Sequence, residues 1–149
     1  MRNLKSPTVI SGSSHTNSKS TILFINGFKF KNIKRFYHII LHDTVTVRAF
    51  HGHFIEEKYA YVSHGKVLLC AIPIDRKLKP NKNVKIFTFE LTSENPQIIN
   101  IPAGFANGMR ALQKNSEIIF FSTLSLSDSL NDDYRFPEDY WGMELWKKK

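Results

Sequence analysis

The chain opens on residues 1–20, a polar stretch rich in Ser, Thr and Asn in which apolar positions show little periodicity, as expected of an arm or a loosely held first strand. From Thr21-Ile22-Leu23-Phe24-Ile25 onward, apolar residues fall into short runs at 36–41, 45–50, 58–62, 66–71, 84–91, 97–101 and 117–122. These runs are rich in β-branched and aromatic residues and are parted by turn-forming ones, which is the pattern of strands. Long helical periodicity is missing. In the run 84–91, Val84, Ile86 and Thr88 alternate with Phe87, Phe89 and Leu91, which predicts a strand covered on both faces. Ser63-His64-Gly65 and Asn81-Lys82-Asn83 supply hairpin-style connections. The expectation is an all-β sandwich or barrel, which must close or pair its edges. A homodimer that pairs or exchanges N-terminal strands would meet that need. Residues 128–149 are acidic, aromatic and turn-prone, as expected of a lid or wrapping segment whose rings serve packing.

Composition narrows the class. A chain of 149 residues is expected to form one domain over 1–149, with 1–20 as a polar arm. Cys70 is the only cysteine and sits within the apolar run 67–72, so it reads as a reduced core residue and excludes a disulfide scaffold. The 21 Lys+Arg against 13 Asp+Glu give a net charge of +8. These cations are scattered along the chain, apart from the run 147–149, and no zinc-finger, helix-turn-helix or RNA-recognition signature accompanies them. A nucleic-acid partner is therefore not expected, whereas a small anion such as a nucleotide diphosphate suits the same field. No apolar run approaches the roughly 18 residues of a membrane span, and no secretory leader is evident, so a cytoplasmic protein without a membrane partner is expected.

The densest chemistry lies in Arg48-Ala49-Phe50-His51-Gly52-His53 and the following Glu56-Glu57-Lys58. On a strand His51 and His53 point to one face and can enter one cavity. His-x-His is also the first half of the cupin metal motif, but its glutamate position falls on Lys58, whose ammonium cannot coordinate a metal. Glu57 could serve only with a one-residue shift that flips its face. The later histidine position falls on Asn107, a weak ligand. No metal is expected on this donor set. Paired histidines with a lysine are instead equipped for proton transfer and anion stabilisation beside a carbonyl.

Two blocks resemble the metal-free cupins of deoxysugar biosynthesis, namely the dTDP-4-dehydrorhamnose 3,5-epimerase family and the related dTDP-4-keto-6-deoxyglucose 3,4-ketoisomerases. Arg48-Ala49-Phe50-His51 is similar to the epimerases' Arg-Gly-x-His, and the stretch from Glu56-Glu57-Lys58 to Gly65-Lys66-Val67 follows their Gln-x-Lys-Leu-Val segment ending in Gly-x-Val. Ile101-Pro102-Ala103-Gly104-Phe105-Ala106-Asn107-Gly108 is similar to their Ile-Pro-x-Gly-Phe-Ala-His-Gly. The resemblance, over about residues 35–125, implies an RmlC-like cupin jelly roll and an isomerase that needs neither metal nor cofactor. Its implied substrate is a nucleotide-diphosphate sugar, with products used in capsule or lipopolysaccharide synthesis. It further implies that His51 is the general base and that Lys58 and Arg48 hold the developing oxyanion or the diphosphate, with Asn107 lining the cavity.

The departures matter as well. The epimerases return a proton from the opposite face with a late-strand tyrosine, but the segment 120–127 contains none. Tyr37 is the replacement candidate; Tyr59 and Tyr61 are expected to pack. The aspartate that orients the base has three candidates, Asp132, Asp133 and Asp139. The ketoisomerases offer another match, with Phe36-Tyr37-His38-Ile39 and Arg48-Ala49-Phe50-His51-Gly52-His53 similar to their Tyr-bearing strand and Arg-Gly-x-His-Ala-His block. There His51 and His53 would shuttle a proton on one face. A cupin that binds a nucleotide sugar without chemistry is the remaining alternative.

Overall fold

The computed structural model describes residues 4–77 and 79–147. Along the chain come β1 (Thr8–Ser11), β2 (Ser13–Thr16), β3 (Thr21–Phe24), β4 (Arg35–Leu41), β5 (Val47–His53), β6 (Lys58–His64), β7 (Lys66–Pro73), β8 (Phe87–Thr92), β9 (Gln97–Ile101), β10 (Phe105–Ala111) and β11 (Ser116–Ser122). A short helix α1 (Leu126–Leu130), a two-residue strand β12 (Tyr134–Arg135) and a 3₁₀ turn (Met143–Trp146) follow. Two antiparallel five-stranded sheets face each other, in the orders β1-β9-β6-β11-β4 and β12-β5-β10-β7-β8, and β2 pairs with β3 as a separate hairpin. This is the all-β jelly roll of the cupins. No helix among the described residues is long and apolar enough to cross a membrane.

Strand alternation builds the interior. Tyr37, Ile39 and Leu41 of β4, Ala60 and Val62 of β6, and Ile118 and Phe120 of β11 face Leu69, Leu91, Phe105 and Met109 of the second sheet. Burial of this apolar surface, at about 25 cal/mol per Å², is the main force holding the sheets together. The outer face of the second sheet is covered over much of its area. Phe50, Leu68, Cys70, Ile72 and Ala106 form a second cluster there, closed by Trp146 with Phe136, Trp141 and Leu145. The C-terminal segment therefore wraps the sheet, and its aromatics pack as expected. Burial pushes the Cys70 thiol up to about 12, which keeps it protonated in the core.

Two expectations change, and between the two readings of the N-terminal stretch the structure takes the strand. Ser63-His64-Gly65 is not a hairpin: β6 and β7 belong to different sheets, and the link is a corner between them. Gly65 turns it at φ +77, and a Cβ there would meet Ser116 Oγ at 2.3 Å, so both backbone and space require glycine. The N-terminal stretch is partly strand, since β1 pairs with β9 of the same chain and β2 with β3. The run 84–91 begins its ladder only at Phe87, while Val84 and Ile86 pack on the second cluster.

Candidate active site

At one end of the sandwich a cavity of about 190 Å³ opens between the sheets. Its walls carry Tyr37, His51, His53, Arg48, Lys58 and Asn107, the six residues singled out by sequence, together with Arg35, Ser129 and Asp133. Alternation on β5 brings His51 and His53 to the same face. Arg48 is three residues before His51 and by alternation alone would face away. The register of β10 against β5 shifts between Asn107, opposite His51, and Met109, opposite Arg48. Three residues of β5 thus span two of β10, and this bulge returns Arg48 to the cavity side. Asn107 lies directly across from His51, and Tyr37 and Lys58 come from the opposite sheet.

Each histidine has a carboxylate. His51 Nδ1 lies 3.1 Å from Asp133 Oδ1, and Asp133 Oδ2 in turn accepts from Arg135 Nε at 3.0 Å. A carboxylate only accepts, so Nδ1 of His51 carries the hydrogen and Nε2 is the basic nitrogen of the neutral ring. The position of Asp133 comes from β12, whose Tyr134 and Arg135 pair with Gly52 and His51. Partial burial raises the Asp133 carboxyl, but the bonds from Arg135 and His51 outweigh it and hold the group below its ordinary 3.8. Of the other two candidates, Asp139 is exposed, and Asp132 accepts the backbone N–H groups of Phe54, Ile55 and Glu56 at 2.8–2.9 Å. Asp132 thereby fixes the loop between β5 and β6.

Deeper in, His53 Nδ1 donates to the carbonyl oxygen of Asp132 at 2.6 Å and lies 3.1 Å from Glu56 Oε2. Its Nε2 is buried without a partner, as is Asn107 Oδ1. Burial first, and then the Lys58 ammonium, push His53 below its ordinary value, with Glu56 opposing. Lys58 is likewise pulled down by burial and held up chiefly by Glu56, 3.8 Å away. Tyr37 stacks on Phe120 at 5.3 Å, under the Arg35 guanidinium at 4.9 Å, and burial pushes its phenol far above its ordinary value. Among the described residues no group of three or more His, Cys, Asp or Glu side chains is arranged to hold a metal ion.

Residues 26–136 match the family of the dTDP-4-dehydrorhamnose 3,5-epimerases. The chain belongs to this family. The Bacillus subtilis (strain 168) spore coat polysaccharide biosynthesis protein SpsL is 30% identical over 96 residues, covering 62% of this chain and 61% of that protein. The chain thus spans about three fifths of the length of that relative. Among solved structures, the dTDP-6-deoxy-D-glucose-3,5-epimerase of Legionella pneumophila, in complex with dTDP-4-keto-L-rhamnose, superposes with a TM-score of 0.73 at 14% identity, covering 93% of this chain and 77% of that one. A 3,4-ketoisomerase from Helicobacter canadensis gives 0.68 at 14% identity, covering 91% and 94%. At these identities what is shared is the fold.

In this epimerase-family chain, sequence reasoning missed Glu56 and the selection of Asp133. Glu56 is fully buried and accepts from Arg35 at 3.1 Å, from Ser129 at 3.0 Å and from Ser122. Its neighbour Glu57 turns to the outer face, where it accepts from Tyr59 and Asn100. Tyr59 and Tyr61 lie on that outer face as well, away from the cavity. Alternation from Lys58 contained the only available signal for Glu56.

Proposed function

We propose that the protein is a sugar-nucleotide epimerase that removes the proton beside the ketone of a dTDP-4-keto-6-deoxyhexose and returns it with inverted configuration at carbon 3, carbon 5 or both. The observation that carries this reading is the His51–Asp133 pair on one wall of the cavity with Tyr37 and Lys58 on the other. His51 Nε2 takes the α proton, and the electron pair moves into the carbonyl to give an enolate. Asp133 holds the ring in the required tautomer and stabilises the imidazolium as it forms. Lys58 and Arg48 supply positive charge to the enolate oxygen or the diphosphate. Tyr37 keeps its proton well above neutral pH and delivers it to the carbon from the opposite wall. Solvent then restores both groups. A cavity of about 190 Å³ accepts a single sugar ring and leaves the nucleotide outside.

A second reading, a 3,4-ketoisomerase, is favoured by one observation: His53 stands on the same strand face as His51 with its Nε2 unpartnered. Two bases on one side can take the proton from carbon 3 and return one to carbon 4 without Tyr37, while the hydroxyl proton passes from the oxygen on carbon 3 to the oxygen on carbon 4. In either case the product serves cell-surface polysaccharide synthesis of the capsule or lipopolysaccharide kind, and SpsL is by its name a spore coat polysaccharide biosynthesis protein. The working form is a cytoplasmic homodimer, whose interface is supported by the exposed Phe30, Phe36 and Ile40 on the outer side of the first sheet.

Proton NMR of the protein with dTDP-4-keto-6-deoxyglucose in heavy water tests this. Deuterium at carbon 3 or 5 of a product that keeps its 4-ketone is the expected result. A 3-keto product establishes the second reading, and binding without exchange contradicts both.

A further inference from the structure

Glu56 is the most unusual group in the cavity wall: a carboxylate of zero side-chain exposure with five polar neighbours drawn from five elements. Burying a charge is costly, and a buried ion pair is often no more stabilising than well-packed apolar side chains of the same volume. Arg35, Ser122 and Ser129 already satisfy both of its oxygens. The two remaining neighbours, His53 and Lys58, both line the cavity. His53 is pinned through Nδ1 between Glu56 and the Asp132 carbonyl, so its bare Nε2 is left for a ligand, as is Asn107 Oδ1. Buried polar atoms without partners are rare, and two in one wall mark where a ligand's donors go.

We infer that Glu56 is a positioning residue, which aims His53 into the cavity with Nε2 unprotonated and keeps the Lys58 ammonium charged beside the reacting carbonyl. The inference rests on the reading of the cavity as a site of proton abstraction beside a ketone. The groups facing His53 are Lys58, Glu56 and Asp132, and those facing Lys58 are Glu56, Arg35, Asp133 and Asp132. Glu56 leads the groups that hold Lys58 up against its burial, and it also opposes the burial of His53. Removing its charge lets both fall. Since Lys58 must be charged to stabilise an enolate, the alkaline end of activity then moves to lower pH.

The test is Glu56→Gln in the full chain, with Ser129→Ala as a control that strips the hydroxyl bonded to Glu56 and to Arg35 and leaves the carboxylate charge. Expected for Glu56→Gln are a loss of about 10–100-fold in kcat with little change in KM, and an alkaline limb of kcat/KM displaced to lower pH. Glu56→Asp, which keeps the charge, is expected to restore part of the rate. NMR titration of His53 and Lys58 without substrate is expected to show both midpoints lower in Glu56→Gln than in the wild type. Unmoved midpoints and an unmoved alkaline limb in a merely less stable variant overturn the inference. Should Glu56→Gln fail to fold, the wild-type titration decides, because a neutral His53 protonated on Nε2 contradicts the proposed positioning. If the wild type exchanges no deuterium into substrate, the functional reading fails while the substrate-free titration still judges Glu56.

Discussion

The two histidine–carboxylate pairs of the cavity lie two residues apart on β5 and differ in nearly everything else. The side chain of His51 is 40% exposed and faces Asp133, itself tied to Arg135, whereas His53 is 5% exposed and faces a Glu56 with no exposure at all. One pair sits at the mouth, where solvent can carry protons to and from it. The other sits inside, where burial and Lys58 disfavour a second proton on the ring. The same residue type on the same strand face can thus serve as a working base in one place and as a fixed neutral acceptor in the other. Burial and the sign of the nearest charge make the difference.

The largest effect that would break this comparison is at the mouth. His51→Asn is expected to lower turnover by about 10²–10⁴-fold with substrate affinity retained, measured as kcat beside a binding isotherm. A smaller loss is expected from Asp133→Asn, about 10–10²-fold in kcat, because the amide no longer fixes the tautomer and cannot stabilise an imidazolium. Tyr37→Phe separates the epimerase reading from the ketoisomerase one. It is expected to abolish stereochemical inversion while deuterium exchange at the abstracted position persists, with folding unchanged by circular dichroism. Unchanged turnover would remove Tyr37 from the mechanism.

The smallest effect is on stability against pH, and it sharpens the contrast at the interior pair. His53 has a folded value below its ordinary 6.5, so the folded state favours the neutral ring. Its contribution to stability is fully present above about 6.5 and is lost as pH falls through the lowered folded value. Asp133 has the same sign around its ordinary 3.8, with stability present above that value and lost as pH falls through the lowered one. Thermal melts of His53→Gln against wild type should therefore converge with acidification from pH 7 to pH 5, and those of Asp133→Asn should converge only below about pH 4.

Much of this architecture could be read from the order of residues, and its failures have physical causes. Runs such as 36–41 and 117–122 alternate between a filled interior and a different outer surface, so their strands were evident. β10 was not read as a strand, because Ala106, Asn107, Gly108 and Arg110 break the apolar pattern. Its outer face is packed so closely that a Cβ at Gly108 would lie 2.5 Å from Ala49 Cβ and 2.9 Å from Trp146, so small residues are required there. Six cavity residues were legible from their types and from motif likeness. Asp133 could not be chosen among three aspartates, since its partner lies 82 residues away and only the pairing of β12 with β5 brings them together. Glu56 stands out in the sequence only as part of the block Glu56-Glu57-Lys58. It goes inside because Arg35, Ser122 and Ser129, each from another element, converge on it.

The most direct test of the central claim is the rate at which deuterium enters dTDP-4-keto-6-deoxyglucose in heavy water under wild-type protein and under His51→Asn, compared at saturating substrate. Exchange beside the ketone in the wild type and its loss by about 10²-fold or more in the variant is the predicted result. Equal exchange in both, or bound substrate with no exchange in either, would contradict the assignment of the His51–Asp133 pair as the base.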